Sequence, residues 1–146
     1  MRLAIIALAA SPVILAAGCA TNAPVRRVVA PAVSVQELVQ KPGDVWNVTL
    51  RVQNYSTVTM HYVGLHATLE VAGRAAGVID ESPRLDIPSG SADVVHTILK
   101  APRPLPAGDV PYKVYGSIKS HDPDGEKKFE YSGWLSPTPG LADTWR

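Results

Sequence analysis

The chain has one cysteine, Cys19, among its 146 residues. A single thiol has no partner for an internal disulfide, and it excludes any metal site that needs two or more thiolates. The fold must therefore stand on packing alone. Charge of one sign is also lacking, with 14 basic against 13 acidic side chains. From Cys19 onward the two signs balance, because Arg2 falls in the leading segment described below. Such a chain exerts no long-range attraction on nucleic acid or on acidic lipid surfaces. Long apolar runs are missing too. The longest, residues 3–17, is shorter than the roughly 20 residues a helix needs to cross a bilayer. Helical periodicity is absent after residue 18, and 13 prolines with 11 glycines would break long helices. The length suits one domain.

Catalytic signatures are equally scarce. There is no Gly-x-Ser-x-Gly elbow, no phosphate-cradling glycine loop and no zinc-protease helix. His61, His66, His96 and His121 are the four histidines. His61 and His66, five apart, fall on opposite faces of a regular strand unless a bulge near Gly64 resets the phase. They are expected to be solvated or packing residues. The segment HDPDGEKK, residues 121–128, places Asp122, Asp124 and Glu126 around Gly125. An EF-hand type of calcium loop needs further ligands and a bidentate Glu at its twelfth position, where none stands here. Proline followed by Asp-Gly between alternating strands is a turn signal, so a hairpin is expected. Asp80 and Glu81 have no evident partner base and read as a charged face. No enzymatic activity, cofactor or metal is expected.

What the chain does have begins at its start. Met1 and Arg2 precede the apolar run, and Ala16, Ala17 and Gly18 are small, which is the layout of a secretory signal peptide. Leu15, Ala16, Ala17, Gly18 and Cys19 resemble the lipobox of bacterial lipoproteins, with Ala16 where that pattern usually has a bulkier aliphatic. The resemblance implies removal of residues 1–18 and lipidation of Cys19, which then joins the protein to the membrane. The alternative is an ordinary signal peptide with a chance cysteine. In a two-membrane cell, Ala20 rather than Asp after the cysteine resembles lipoproteins sorted to the outer membrane, facing the periplasm. Residues 19–33, with Pro24, Pro31, Arg26 and Arg27, read as a flexible tether, with the two arginines as stray charges on a solvated linker in preference to contacts with anionic head groups.

Beyond the tether the apolar period becomes two. Trp46, Val48, Leu50 and Val52 alternate with Asn47, Thr49, Arg51 and Gln53, as in a half-buried strand. Val63, Leu65, Ala67, Leu69 and Val71 form a second set, ending at a turn near Ala72 and Gly73. Further runs cover 75–79, 93–99, 111–120 and 127–135, with Tyr112, Val114 and Ile118, then Phe129, Tyr131 and Leu135, in phase. Six or seven strands at this spacing predict an all-β, antiparallel sandwich over residues 34–136, followed by a tail, 137–146. Lys113, Lys119, Lys127, Lys128 and Glu130 are expected to protect strand edges.

The strand region resembles the water-stress and hypersensitive-response (WHy) domain shared with LEA14-like late-embryogenesis-abundant proteins. Asn54, Gly73, Ile87, Pro88, Gly90, Tyr112 and Gly116 occupy the places of that family's corner, turn and late-strand residues. Tyr55 and Ser56 stand where its first corner usually has Pro and Asn. The resemblance implies a fibronectin-III-like sandwich and a non-enzymatic role in tolerance of desiccation or other stress.

Two functions follow as expectations. One is a lipid-anchored protective or macromolecule-binding module. The other is an accessory lipoprotein of an envelope assembly, docking one protein partner through Trp134, Trp46 or the Pro-rich loop 102–111. Trp134 is out of phase with Phe129 and Tyr131, so it is expected outside, and with Tyr115 it forms a candidate partner surface.

Overall fold

The computed structural model describes residues 23–100 and 104–146. Nine strands follow in order: β1 (Ala32–Lys41), β2 (Val45–Gln53), β3 (Met60–Val71), β4 (Arg74–Glu81), β5 (Leu85–Ile87), β6 (Ala92–Lys100), β7 (Val110–Asp122), β8 (Asp124–Leu135) and β9 (Thr144–Trp145). One antiparallel sheet has the order β6-β2-β1-β9 and the other β4-β3-β7-β8, with β5 also paired to β3. The expected all-β sandwich is thus the observed architecture, with no helix among the described residues.

The alternation of β2 is realised residue by residue. Trp46, Val48, Leu50 and Val52 are buried while Asn47 and Arg51 are exposed, because successive side chains leave a pleated strand on opposite sides. From the facing sheet come Leu65, Ala67, Leu69, Val114 and Ile118, which join the same apolar cluster. Ala72 (φ 51°) and Gly73 (φ 73°) both take left-handed backbone between β3 and β4, as a two-residue hairpin with matching twist requires. Residues 121–128 form the tight β7–β8 hairpin, with His121 opposite Asp124.

Two bulges change what periodicity alone implies. In β1 the register shifts between Val35 and Glu37, so the buried set is Val33, Val35 and then Leu38. In β3 the shifts between His61 and Gly64 put Tyr62 and Leu65 inside, leaving Val63 only half-buried rather than in the core. The same shifts place His61 and His66 on one outer face, not on opposite faces. They remain about 15 Å apart along the strand, too far to share a ligand.

Both ends of the domain extend further than expected. The tail residues 137–146 fold back: β9 pairs with Leu38 and Val39 of β1, and Trp145 is buried. Ser136 and Arg146 exchange backbone hydrogen bonds of 2.8 and 2.9 Å, while Arg146 Nε donates to Glu37 at 2.8 Å. This clasp links the end of β8 to the β1 edge of the other sheet. On the opposite side, Thr97 of β6 donates to Glu81 of β4 at 2.7 Å, giving Glu81 a structural partner rather than a place on a bare charged face. Lys127, Lys128 and Glu130 do lie on an edge strand, β8. Lys113 and Lys119 lie on β7, which is paired on both sides, so they guard no edge.

Burial holds two phenols neutral. Tyr62 is pushed up to about 12 by burial. Tyr112 is also pushed up to about 12, by burial first, with a backbone hydrogen bond at Val35 opposing and Tyr131 adding to the rise. Unfolded tyrosine loses its proton near pH 10. Between about 10 and 12 the folded chain therefore binds more protons, and stability falls as pH rises through that window. Urea unfolding at pH 8 and pH 11.5 should show this loss, about 2 kcal/mol per tyrosine. Among the described residues, the Tyr62 hydroxyl finds no hydrogen-bond partner. Tyr62→Phe should accordingly match or exceed the parent at pH 8 by up to about 1 kcal/mol and flatten the alkaline decline. An unchanged decline in the variant would refute the assignment.

Candidate functional site

Trp134 sits near the end of β8 with 67% of its surface exposed, as its phase predicts. It lies opposite Pro111, and Lys113 lies opposite Ser132 in the same register. These residues, with Glu70 and Gly73 from the β3–β4 hairpin end, line a shallow groove of about 360 Å³. The groove exists because β3, β7 and β8 end together there, so distant sequence segments meet.

Tyr115 shares this outer face but does not line the groove. Its partner across the register is Glu130, four positions from the Trp134–Pro111 pair, or roughly 13 Å along the strand. Lys113 Nζ lies 5.3 Å from the centre of the Tyr115 ring and 3.1 Å from Glu130. The Tyr115 hydroxyl donates to Glu70 at 3.1 Å. This chain of contacts holds Tyr115 half-buried as a support for Lys113 and Glu70 at the groove's rim. Trp46, named with Trp134 from sequence, is buried in the core and presents no surface to a partner. Of the Pro-rich loop, residues 104–109 are described; Cys19 and residues 1–18 lie outside the described residues.

The charged groups of the groove are already engaged, Lys113 by Glu130 and Glu70 by the Tyr115 hydroxyl, and they flank an exposed indole. What the groove exposes is apolar indole surface with polar groups at its rim. Among the described residues, no three His, Cys, Asp or Glu side chains converge in a way that holds a metal ion.

A second constellation sits at the opposite end, around Asn54. This side chain is fully buried. Its amide nitrogen donates to the carbonyls of Val58 at 2.9 Å, Ile87 at 2.9 Å and Pro88 at 3.2 Å. Its carbonyl oxygen accepts from Ser56 N at 2.8 Å, and Gly90 N donates to its backbone oxygen at 3.0 Å. Asn54, Ile87, Pro88 and Gly90, singled out separately in sequence, therefore form one corner. Sequence reading missed what that corner holds. Residues 25–29 of the expected tether are docked on it through Ser56 and Thr57. Such bonds use backbone groups and small hydroxyls, which leave no hydropathy pattern.

These features define an all-β sandwich with a shallow groove at one end and a hydrogen-bonded corner at the other. Its fold is similar to the solution structure of AT1g01470 from Arabidopsis thaliana, with a TM-score of 0.56 and 12% identity over 85% of this chain and 91% of that one. Two further solved structures were matched. The X-ray structure of Northeast Structural Genomics Consortium target SoR45 has a TM-score of 0.44 and 16% identity, over 77% and 89% of the two chains. A crystal structure of a protein from Archaeoglobus fulgidus has a TM-score of 0.42 and 12% identity, over 72% and 96%. No family model and no curated protein matches the chain.

Proposed function

We propose that this protein is a lipid-anchored, non-enzymatic LEA14-like lipoprotein that protects or binds macromolecules during desiccation or related stress. The observation that carries this reading is the Asn54 corner. The residues behind the family resemblance lie over thirty positions apart, yet Asn54 bonds directly to Ile87 and Pro88. The fold it shares with AT1g01470, a LEA14 protein, supports the LEA14-like part of this reading. Anchoring rests on the lipobox-like residues 15–19. Acyl chains on Cys19 would contribute about 0.8 kcal/mol per buried methylene, so two or three chains hold firmly where one does not.

A second reading, an accessory lipoprotein docking one envelope partner, is favoured by the exposed Trp134 beside its groove. Crosslinking in cells before and after drying, with mass spectrometry of what is captured, separates the two. Diffuse contacts that increase on drying fit protection. One dominant partner regardless of drying fits the accessory role and overturns the first. In the same strains, Cys19→Ala should abolish the acyl mass and release the protein from the membrane fraction; retention of both would overturn the anchoring.

A further inference from the structure

We propose that the end of the sandwich bearing Val25, Arg27 and Tyr55 is a membrane-contact surface, seated on the phospholipid headgroups of the bilayer that holds the anchor. The inference rests on the acylation of Cys19 and adds to it an orientation that acylation alone does not supply.

A free tether would let the domain tumble, but this one is fastened close to its start. Arg27 N donates to Thr57 Oγ1 at 2.8 Å, Thr57 N returns a bond to Arg27 O at 3.0 Å, and Thr57 Oγ1 donates to Val25 O at 2.8 Å. Val29 N donates to Ser56 Oγ at 3.1 Å. Ser56 is itself buried and held by Asn54. The chain from Cys19 to Val25 can span at most about 20 Å even at full extension. Strands of 12 and 13 residues make the sandwich roughly 40 Å long. The fastened end therefore stays within reach of the bilayer, and the far end lies about twice that distance from the fastened one.

The chemistry exposed at the fastened end suits the headgroup layer. Val25 and Tyr55 are 74% and 63% exposed. Aromatic rings with a polar tip settle at the membrane interface, and arginines gain from lipid phosphates close by. Of the carboxylates at this end, Asp86 pairs with His61 and Asp122 with Arg26 at 3.8 Å, whereas Asp124 forms no ion pair among the described residues. Arg27 forms no ion pair among the described residues and is left to face phosphate. Because β7 and β8 run the length of the sandwich, the Trp134 groove lies at the other end and points away from the bilayer.

The test uses the chain's cysteine count. Acylation consumes Cys19, so an introduced cysteine is a unique labelling site. Full-length acylated protein carrying Asp124→Cys, at the hairpin beside Arg26, or Ser132→Cys, at the groove, is labelled with a fluorophore. Each is reconstituted in phosphatidylethanolamine–phosphatidylglycerol vesicles containing headgroup-quencher lipid. The label at position 124 should be quenched several-fold more than that at 132, and Thr57→Val, which loosens the strap, should narrow the difference. Equal quenching, or stronger quenching at 132, in protein whose acyl mass is confirmed would overturn the orientation. Absence of the acyl mass would instead overturn the anchoring beneath it.

Discussion

Asn54→Ala should lower the stability of the sandwich by about 3 kcal/mol. Truncation removes the donor to three carbonyls and the acceptor for Ser56 N, all in a place where Asn54 itself has no exposure. Water cannot reach these groups without opening the corner, so they bear the full cost of burial without partners. For a domain of this size the loss corresponds to roughly 10 °C in Tm. Thermal and urea unfolding of the two proteins measure it directly. A loss under about 1 kcal/mol would mean that the corner relaxes and finds other partners. Docking of residues 25–29 should loosen as well, because Ser56 loses the bond that positions it.

Gly116→Ala should be more damaging still, through geometry rather than hydrogen bonding. A Cβ at this position would lie 2.0 Å from His66 O and 2.7 Å from Ala67 Cα. Both obstacles are backbone, so no rotamer change relieves them, and β3 would have to separate from β7. Those strands form the centre of their sheet, in unbroken register from Gly64–Lys119 to Val71–Tyr112. The expected loss exceeds about 3 kcal/mol, at the upper end of what single substitutions cause, and shows as loss of cooperative unfolding or of soluble protein. Gly64→Ala is the matched control. Its Cβ would meet Lys119 Cβ at 3.5 Å, ordinary contact, and the change should stay within about 1 kcal/mol. Equal behaviour of the two variants would refute the close-approach argument.

Some elements are legible in the residue pattern itself. Strand β2 declares itself because Trp46 to Val52 alternate without interruption, and the β3–β4 turn because a glycine sits between two such runs. The exposure of Trp134 follows from phase alone. The groove beside it does not, since Glu70, Gly73, Pro111 and Ser132 meet only after three strands are in register. Nor does the role of Lys113: its charge suggests an edge, whereas β7 is paired on both sides and the lysine spans Tyr115 and Glu130.

Sequence by itself determined the class of fold and where most strands turn, because burying one face of a strand writes a period of two into the residue types. Tertiary structure alone decided what carries no such period. The bulges in β1 and β3 shift the alternation by one residue, which hid β1 and misassigned the faces of His61 and His66. Strands β5 and β9 are too short to show a pattern, and Trp145 is inside only because Arg146 and Ser136 close the clasp. The docked tether is the clearest case. Its bonds join backbone groups to Ser56 and Thr57, and hydrogen bonds between segments some thirty residues apart exist only once the sandwich has brought them together.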